Sequence, residues 1–306
     1  MLNYIGIDVG GSFIKYGIVD DNGNVYYQGK ITTFRENPKK IMEDLIKIIT
    51  ELKQYKSINQ VGISLPGVID RNNRLVTSGA LEGLYKVDVA QILSDATNTS
   101  VTLTNDAKAI AYGEQWLGAG KNCDNFVCIP LGTGVGGSIV SDGHVLKGNN
   151  GVAGEFGMML MEFGRSEPLI FDSASFHCGV IAGLCRLYNK KKGNKDFTTW
   201  EKDVKIILER ASSGEMEARE SLSEFYHNAA VLLLNIRVTL DPEKILLGGG
   251  VSESVQIMDG IKQAVKKLFA RYTEISSLGF PTIEPCYLGN KAGMIGAVSV
   301  LRRGEK

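Results

Sequence analysis

The chain has 306 residues, 43% of them hydrophobic and 22% charged, with 34 Lys+Arg against 34 Asp+Glu. That length can bury two substantial cores, and zero net charge offers no bulk attraction to nucleic acid or an anionic membrane. The chain enters a strand almost at once, without a charged n-region or apolar h-region, and no apolar run approaches the length of a membrane span. Five cysteines with no C-x-x-C pair suit free thiols in a reducing cytoplasm. The expectation is a cytoplasmic protein with no nucleic-acid and no membrane partner.

Tyr4 to Val9 reads as a strand, Gly10-Gly11-Ser12 as a turn and Phe13 to Val19 as a second strand, followed by the hairpin signal Asn22-Gly23 and a third strand from Val25 to Thr32. Pro38 stands where an N1 proline would, and Ile41, Leu45, Ile48, Ile49 and Leu52 recur at helical spacing. Val61 to Leu65 is a buried-type strand ending in Pro66-Gly67. A short helix over Val87 to Ala96, a strand over Val101 to Thr104 and a helix capped by Asn105-Asp106 and running towards Trp116 complete the order β-β-β-α-β-α-β-α. The pattern restarts at Phe126 with larger insertions: a loop at 144–154, helices near 173–190, 201–212 and 215–239, a strand from Lys244 to Leu247, a helix over 254–271, a strand near 282–287 and a last helix from 291. No low-complexity linker occurs. One domain is expected over 1–118, with the helix at 291–306 packing on it, and a second over 119–290.

Gly132, Gly134 and Gly137 satisfy G-x-G-x-x-G after the strand Phe126–Leu131, but a dinucleotide fingerprint needs a helix next. Here Ser138-Ile139-Val140 and the hairpin pair Asp142-Gly143 follow, so the glycines form a turn between two strands. Its backbone N–H groups could cradle phosphate oxygens. The N-terminal strand–Gly-Gly–strand unit repeats that pattern. Two such turns facing each other would clamp a polyphosphate, whereas the plainer reading is a pair of unrelated hairpins.

Gly6-Ile7-Asp8-Val9-Gly10-Gly11-Ser12 with Lys15, Gly62-Ile63-Ser64-Leu65-Pro66-Gly67, Asn105-Asp106-Ala107, Leu131 to Gly137, Gly154-Glu155-Phe156-Gly157 and Leu247-Gly248-Gly249-Gly250 follow one another along nearly the whole chain. The ordered set resembles the ROK family of sugar kinases and sugar-responsive repressors, within the actin-like ATPase superfamily. The resemblance implies an α/β fold of two actin-like (ribonuclease H-like) domains, ATP, Mg²⁺ and sugar in the cleft between them, and a homodimer. Two departures stand out. Met158 occupies a histidine position of the family's zinc pattern, and Phe163 to Phe171 contains no cysteine. A thioether is a poor zinc ligand, so no zinc is expected and the chain looks like the zinc-free branch, which includes β-glucoside and N-acetylmannosamine kinases.

A sugar hydroxyl is a weak nucleophile and needs a carboxylate to orient it and take its proton, which makes Asp106 the candidate base. The plainer reading makes Asn105-Asp106 a helix cap only. Asp8, at a strand end, is the candidate for Mg²⁺, directly or through water. Gly10, Gly11, Ser12 and Lys15 on one side, and Gly132, Thr133 and Gly134 on the other, would meet phosphates, although a lysine is more often solvated surface. Gly248, Gly249 and Gly250 would let adenosine approach the backbone, or would form a plain left-handed turn. Glu155, Asn105 and the backbone near Gly67 would bind sugar hydroxyls. Asp172 lies near the position of a second sugar-binding carboxylate, and His177 is either a sugar contact or a structural histidine. The expected activity is ATP-dependent phosphorylation of a hexose-type sugar at its 6-hydroxyl, with a β-glucoside or glucose as acceptor and N-acetylmannosamine as the alternative. Rival readings are a silent sugar sensor and a family repressor, which would carry an N-terminal helix-turn-helix where this chain begins its first strand by residue 4.

Overall fold

The structure, a computed structural model, describes residues 2–77, 79, 81–85 and 87–304. Its elements begin with β1 (Asn3–Val9), β2 (Phe13–Asp20), β3 (Val25–Thr32), α1 (Pro38–Tyr55), β4 (Gln60–Leu65), α2 (Val89–Thr97), β5 (Ser100–Asn105) and α3 (Asp106–Leu117). There follow β6 (Phe126–Pro130), β7 (Ser138–Ser141), β8 (His144–Val145), α4 (Ala174–Cys178), a π-helical segment Val180–Cys185, α5 (Arg186–Lys191), α6 (Val204–Ser212) and α7 (Met216–Leu240). The chain ends with β9 (Lys244–Gly248), α8 (Val255–Phe269), β10 (Thr282–Pro285) and α9 (Ala292–Arg303). Two five-stranded sheets result, ordered β3-β2-β1-β4-β5 and β10-β9-β6-β7-β8. This is an α/β fold of the two-domain, actin-like kind.

Packing groups the chain into two units, Met1–Asp124 with Ser138–Ala153 and Tyr287–Lys306, and Asn125–Gly137 with Gly154–Cys286. A single cut at residue 118 misses the return of 138–153 to the first unit. That return has local causes: Ser138 Oγ donates to the Ala107 carbonyl (3.0 Å) and Gln115 Nε2 to the Gly143 carbonyl (2.8 Å), both on α3.

In the first unit, alternation along β1 decides which side chains go where. Ile5, Ile7 and Val9 share one core with Ile41, Leu45, Ile48, Ile49 and Leu52 of α1. Burying each such aliphatic side chain is worth ~1.5–3 kcal/mol. Tyr4, of the opposite parity, packs with Val19 and with Met294 and Val298 of α9. That helix sits so close that a Cβ on Gly62 would strike the Ala297 carbonyl and one on Gly296 the Ala109 carbonyl. Asn37 caps α1 by accepting from Lys40 N (3.0 Å), just ahead of Pro38 at the first helical position. Asp142 (φ 49°) and Gly143 (φ 74°) make the expected tight turn between β7 and β8.

In the second unit, Phe126, Val127, Cys128 and Ile129 of β6 and Ile245, Leu246 and Leu247 of β9 are all buried, as parallel strands covered on both faces require. The long helix α7 adds Phe225, Leu232, Leu233 and Ile236, and α8 adds Ile257 and Ile261.

The continuous helix expected near 173–190 is broken. Gly179 is extended (φ −64°, ψ 150°), and a new start follows in which Val180 N (2.7 Å) and Ile181 N (3.3 Å) donate to the Gly132 carbonyl and Ala182 N to that of Thr133 (3.0 Å). Carbonyls of the glycine turn thus satisfy the N–H groups that a helix start leaves unpaired. Among the described residues, no helix is long and apolar enough to cross a membrane.

Candidate active site

Strand register assembles the first part of the site. Asp8 on β1 lies opposite Lys15 on β2 and beside Ser64 on β4, so the three share one face of the sheet. Ser64 Oγ donates to Asp8 Oδ1 at 2.9 Å, and Lys15 Nζ stands 3.9 Å from Asp8 Oδ2 while donating to Asn290 Oδ1 at 3.1 Å. Burial raises the Asp8 pKa, Lys15 and Ser64 oppose that, and the charge of Asp106 raises it further. The Gly10–Ser12 turn uses its carbonyls internally: Thr33 Oγ1 donates to Gly10 O (2.8 Å) and Thr33 N to Ser12 O (2.9 Å), while Gly11 and Ser12 remain exposed.

The second part stands at the junction of β5 and α3. Asn105 is the N-cap, accepting from Lys108 N at 3.0 Å, and Asp106 is the first helical residue. Asp106 Oδ1 accepts from Ala107 N (2.9 Å) and from Asn105 Nδ2 (3.1 Å), and the same amide donates to the Gly67 carbonyl (2.9 Å). The bonds from Ala107 N and Asn105 Nδ2 both fall on Oδ1. Burial raises the Asp106 pKa, against the lowering effect of the Ala107 and Asp106 N–H groups and of Lys108. Water still reaches the side chain, so solvent screening tempers the shift.

In the second unit the glycine turn is held by Gly132 N to Gly134 O (2.9 Å), Gly136 N to Pro130 O (3.0 Å) and Val135 N to Ser175 Oγ (3.1 Å). Gly249 takes φ 75°, and a Cβ there would run into the Leu131 carbonyl, so its left-handed turn is a steric necessity. Gly250 lines a cavity of about 760 Å³ whose wall includes Leu184, Phe225, Val251 and Ile257 beside the polar Ser254 and Gln256. The same wall also carries the charged Asp203, Lys205, Glu209 and Glu253.

Asp172 fastens the loop that precedes it. Its carboxylate accepts from Ser166 Oγ, from Arg165 N (2.7 Å) and from Ser166 N (3.2 Å), closing the loop before it. The Ser166 hydroxyl is the first cause holding its pKa low. Burial, which raises the pKa, loses to that hydroxyl together with the Ser166, Arg165 and Gly164 N–H groups. Glu155 stands just before the short 3₁₀ turn Phe156–Met158, and Met158 is 72% exposed. His177 packs edge-on against Phe176 and lies 3.5 Å from Glu162 Oε1. Among the described residues no three or more His, Cys, Asp or Glu side chains group as metal ligands.

Three residues of this neighbourhood have no role in the sequence reading. Ser64 lies inside a quoted motif but is an ordinary strand serine by composition. Lys108 is only 4% exposed, where a helical lysine is expected on the surface. Glu114 is fully buried and accepts from Ala119 N (2.8 Å), Tyr287 N (3.0 Å) and Leu288 N (2.8 Å), tying the end of α3 to the approach of α9. Its position among alanines on α3 is the only signal a sequence carries for it.

The chain is an ATP-dependent carbohydrate kinase of the actin-like class. The chain belongs to the ROK family, whose model matches residues 4–303. It is similar to a glucokinase of Thermotoga maritima, 27% identical over 317 aligned positions covering 98% of each chain. A β-glucoside kinase of Listeria innocua is also 27% identical, over 95% of this chain and 94% of that protein. Among solved structures, a ROK family glucokinase from Streptomyces griseus in complex with glucose and AMPPNP superimposes with a TM-score of 0.79 at 25% identity, covering 99% of this chain and 100% of that one.

Proposed function

We propose that the protein transfers the γ-phosphoryl group of ATP to the 6-hydroxyl of a hexose, with a β-linked glucoside the preferred acceptor. The observation that carries this reading is the Asp106 carboxylate, fixed through Oδ1 at a strand-to-helix junction beside a second desolvated carboxylate. Oδ2 is then the oxygen that takes the proton of the sugar hydroxyl as its oxygen bonds to the γ-phosphorus and the bond to ADP breaks. Asn105 and the backbone at Gly67, joined by a hydrogen bond, would position the sugar from the same junction, together with Glu155.

Asp8 fits a divalent cation: its carboxylate is desolvated and repelled by Asp106, a combination that a hard cation relieves. Asp8 would hold Mg²⁺ directly or through water, and the bound ion would neutralise charge on the phosphoryl oxygens. Gly10, Gly11, Ser12 and Lys15, with Gly132, Thr133 and Gly134, would meet the phosphates. The cavity at Gly250 is of a size and lining to accept adenosine. Asp172 fastens its loop through the Arg165 and Ser166 donors.

The preference for a glycoside rests on the segment after Glu155. Met158 (72%), Leu160 (47%), Phe163 (90%) and Phe171 (43%) are exposed, so this stretch presents flexible and aromatic apolar surface where the family's zinc pattern would place a rigid wall. ADP release should be followed with glucose, cellobiose and N-acetylmannosamine, and kcat/KM compared, because discrimination resides in that ratio. Cellobiose is expected to match or exceed glucose. A glucose advantage above about tenfold, ~1.4 kcal/mol of transition-state binding, would sink the glycoside preference and leave a glucokinase.

A further inference from the structure

Lys108 is a charged side chain buried two residues past the proposed base, and it closes a ring of contacts. Its Nζ donates to the Gly151 carbonyl at 2.9 Å. Gly151, at φ 81°, lies so close to the preceding crossover that a Cβ would hit the Ile69 carbonyl and come within 3.0 Å of Val68 Cγ1. Residue 67, adjacent to that crossover, offers its carbonyl to Asn105 Nδ2 (2.9 Å), the amide that also holds Asp106 Oδ1 (3.1 Å). Lys108 N returns to Asn105 Oδ1 (3.0 Å). The circuit therefore runs Asp106, Asn105, Gly67, the 68–69 backbone, Gly151, Lys108 and back to α3. Beyond its anchor, the 148–152 loop carries exposed Asn149, Asn150 and Val152, with Ala153 N returning to Lys147 O at 3.3 Å.

We propose that Lys108 is a positioning residue of the sugar subsite, latching the 148–152 loop to the helix that bears Asp106 and fixing the distance between loop and base. A lysine is rarely buried unless its charge is used, and a methionine or leucine would fill the same volume on α3 without desolvating an ammonium group. A carbonyl acceptor on a loop packed closely against the 68–69 backbone is what such a latch requires. The charge has a second consequence. Besides burial and the N–H groups of Ala107 and of Asp106 itself, the charges coupled to Asp106 include Asp8 from β1, itself flanked by Lys15 from β2, and Lys108 from its own helix. Lys108 is the cation that favours the ionised, proton-accepting form.

This inference rests on Asp106 being the base, and the experiment separates the two. The variants Lys108→Met, Lys108→Arg, Gly151→Ala and Asp106→Asn are compared by steady-state kinetics with cellobiose and Mg·ATP across acidic to neutral pH. Lys108→Met is expected to raise the sugar KM and lower kcat/KM by roughly 10²-fold, the scale of a small misplacement at a reacting centre, while the KM for Mg·ATP stays within about twofold. Its acid limb should move to higher pH, and Lys108→Arg should return that limb towards wild type. Gly151→Ala, which pushes the loop off the 68–69 backbone, should raise the sugar KM without moving the limb. A folded Lys108→Met with wild-type sugar KM and an unmoved limb overturns the proposal and leaves a space-filling lysine. Should Lys108→Met fail to fold, an unchanged sugar KM in Gly151→Ala overturns it equally. Normal turnover in Asp106→Asn would instead remove the base assignment, whatever Lys108 does.

Discussion

Replacing Asp106 with Asn isolates the chemistry from the fold. Asn105, not residue 106, is the helix cap, so the cap bond to Lys108 N survives the change. The new side-chain oxygen can still accept from Ala107 N and Asn105 Nδ2, the two bonds that fall on Asp106 Oδ1. What disappears is the proton acceptor. Loss of a general base costs ~10²–10⁴-fold in turnover, equivalent to about 3–5 kcal/mol of transition-state stabilisation. Sugar affinity should change little, because the neighbouring contacts remain.

The stability sign follows from burial. Because burial raises the Asp106 pKa, the fold favours the protonated acid. Any stability that group lends is complete below its unfolded pKa and is lost as pH rises through the folded value. Asn carries no such loss, so the variant should melt no lower than wild type at neutral pH, within the ~1 kcal/mol that an acidic first-turn residue gains from the helix dipole. The same raised pKa moves the acid limb of wild-type kcat upward from the ordinary carboxylate value, with activity falling as pH drops through it, and that contribution should vanish in the variant. The assay is ADP release at saturating sugar and Mg·ATP, paired with thermal melting and sugar titration calorimetry. Turnover near wild type in a folded Asp106→Asn protein would refute the reasoning.

Asp8→Ala should weaken Mg·ATP binding and phosphoryl transfer while leaving sugar affinity little changed; titration calorimetry giving wild-type Mg·ATP affinity with normal activity would count against Asp8. The purified protein should hold no stoichiometric zinc, since burial pushes the Cys178 and Cys185 thiols up to about 12 and metal binding needs thiolates. Elemental analysis finding one zinc per chain contradicts that. Glu114→Ala leaves the N–H groups of Ala119, Tyr287 and Leu288 without their carboxylate and should destabilise the protein by on the order of 3 kcal/mol. A melting temperature within about 2 °C of wild type would show that water or a local shift replaces those bonds.

Most of the framework was legible because local signals agreed with one another. The apolar spacing from Ile41 to Leu52, the asparagine before Pro38 and the Asp142-Gly143 pair each specify their element without help from distant residues. The row Lys15–Asp8–Ser64 emerges only from the sheet, where the β1–β2 hairpin sets Lys15 opposite Asp8 and the parallel strand β4 sets Ser64 beside it. Long-range events were not legible. The break at Gly179 depends on carbonyls of Gly132 and Thr133 reaching a helix some fifty residues on. The Arg165 and Ser166 donors to Asp172 are a loop contact that its place in the sequence does not announce. The return of 138–153 to the first unit depends on side chains of α3 and on Lys108, whose burial no periodicity announces.

The central claim is that this chain moves a phosphoryl group from ATP to a sugar 6-hydroxyl. Phosphorus NMR of a reaction containing the protein, cellobiose and Mg·ATP tests it most directly. The account predicts stoichiometric ADP and a new phosphomonoester signal coupled to the two protons of a single C6 carbon. Release of inorganic phosphate without a sugar ester, or no loss of ATP with cellobiose, glucose or N-acetylmannosamine, would contradict it.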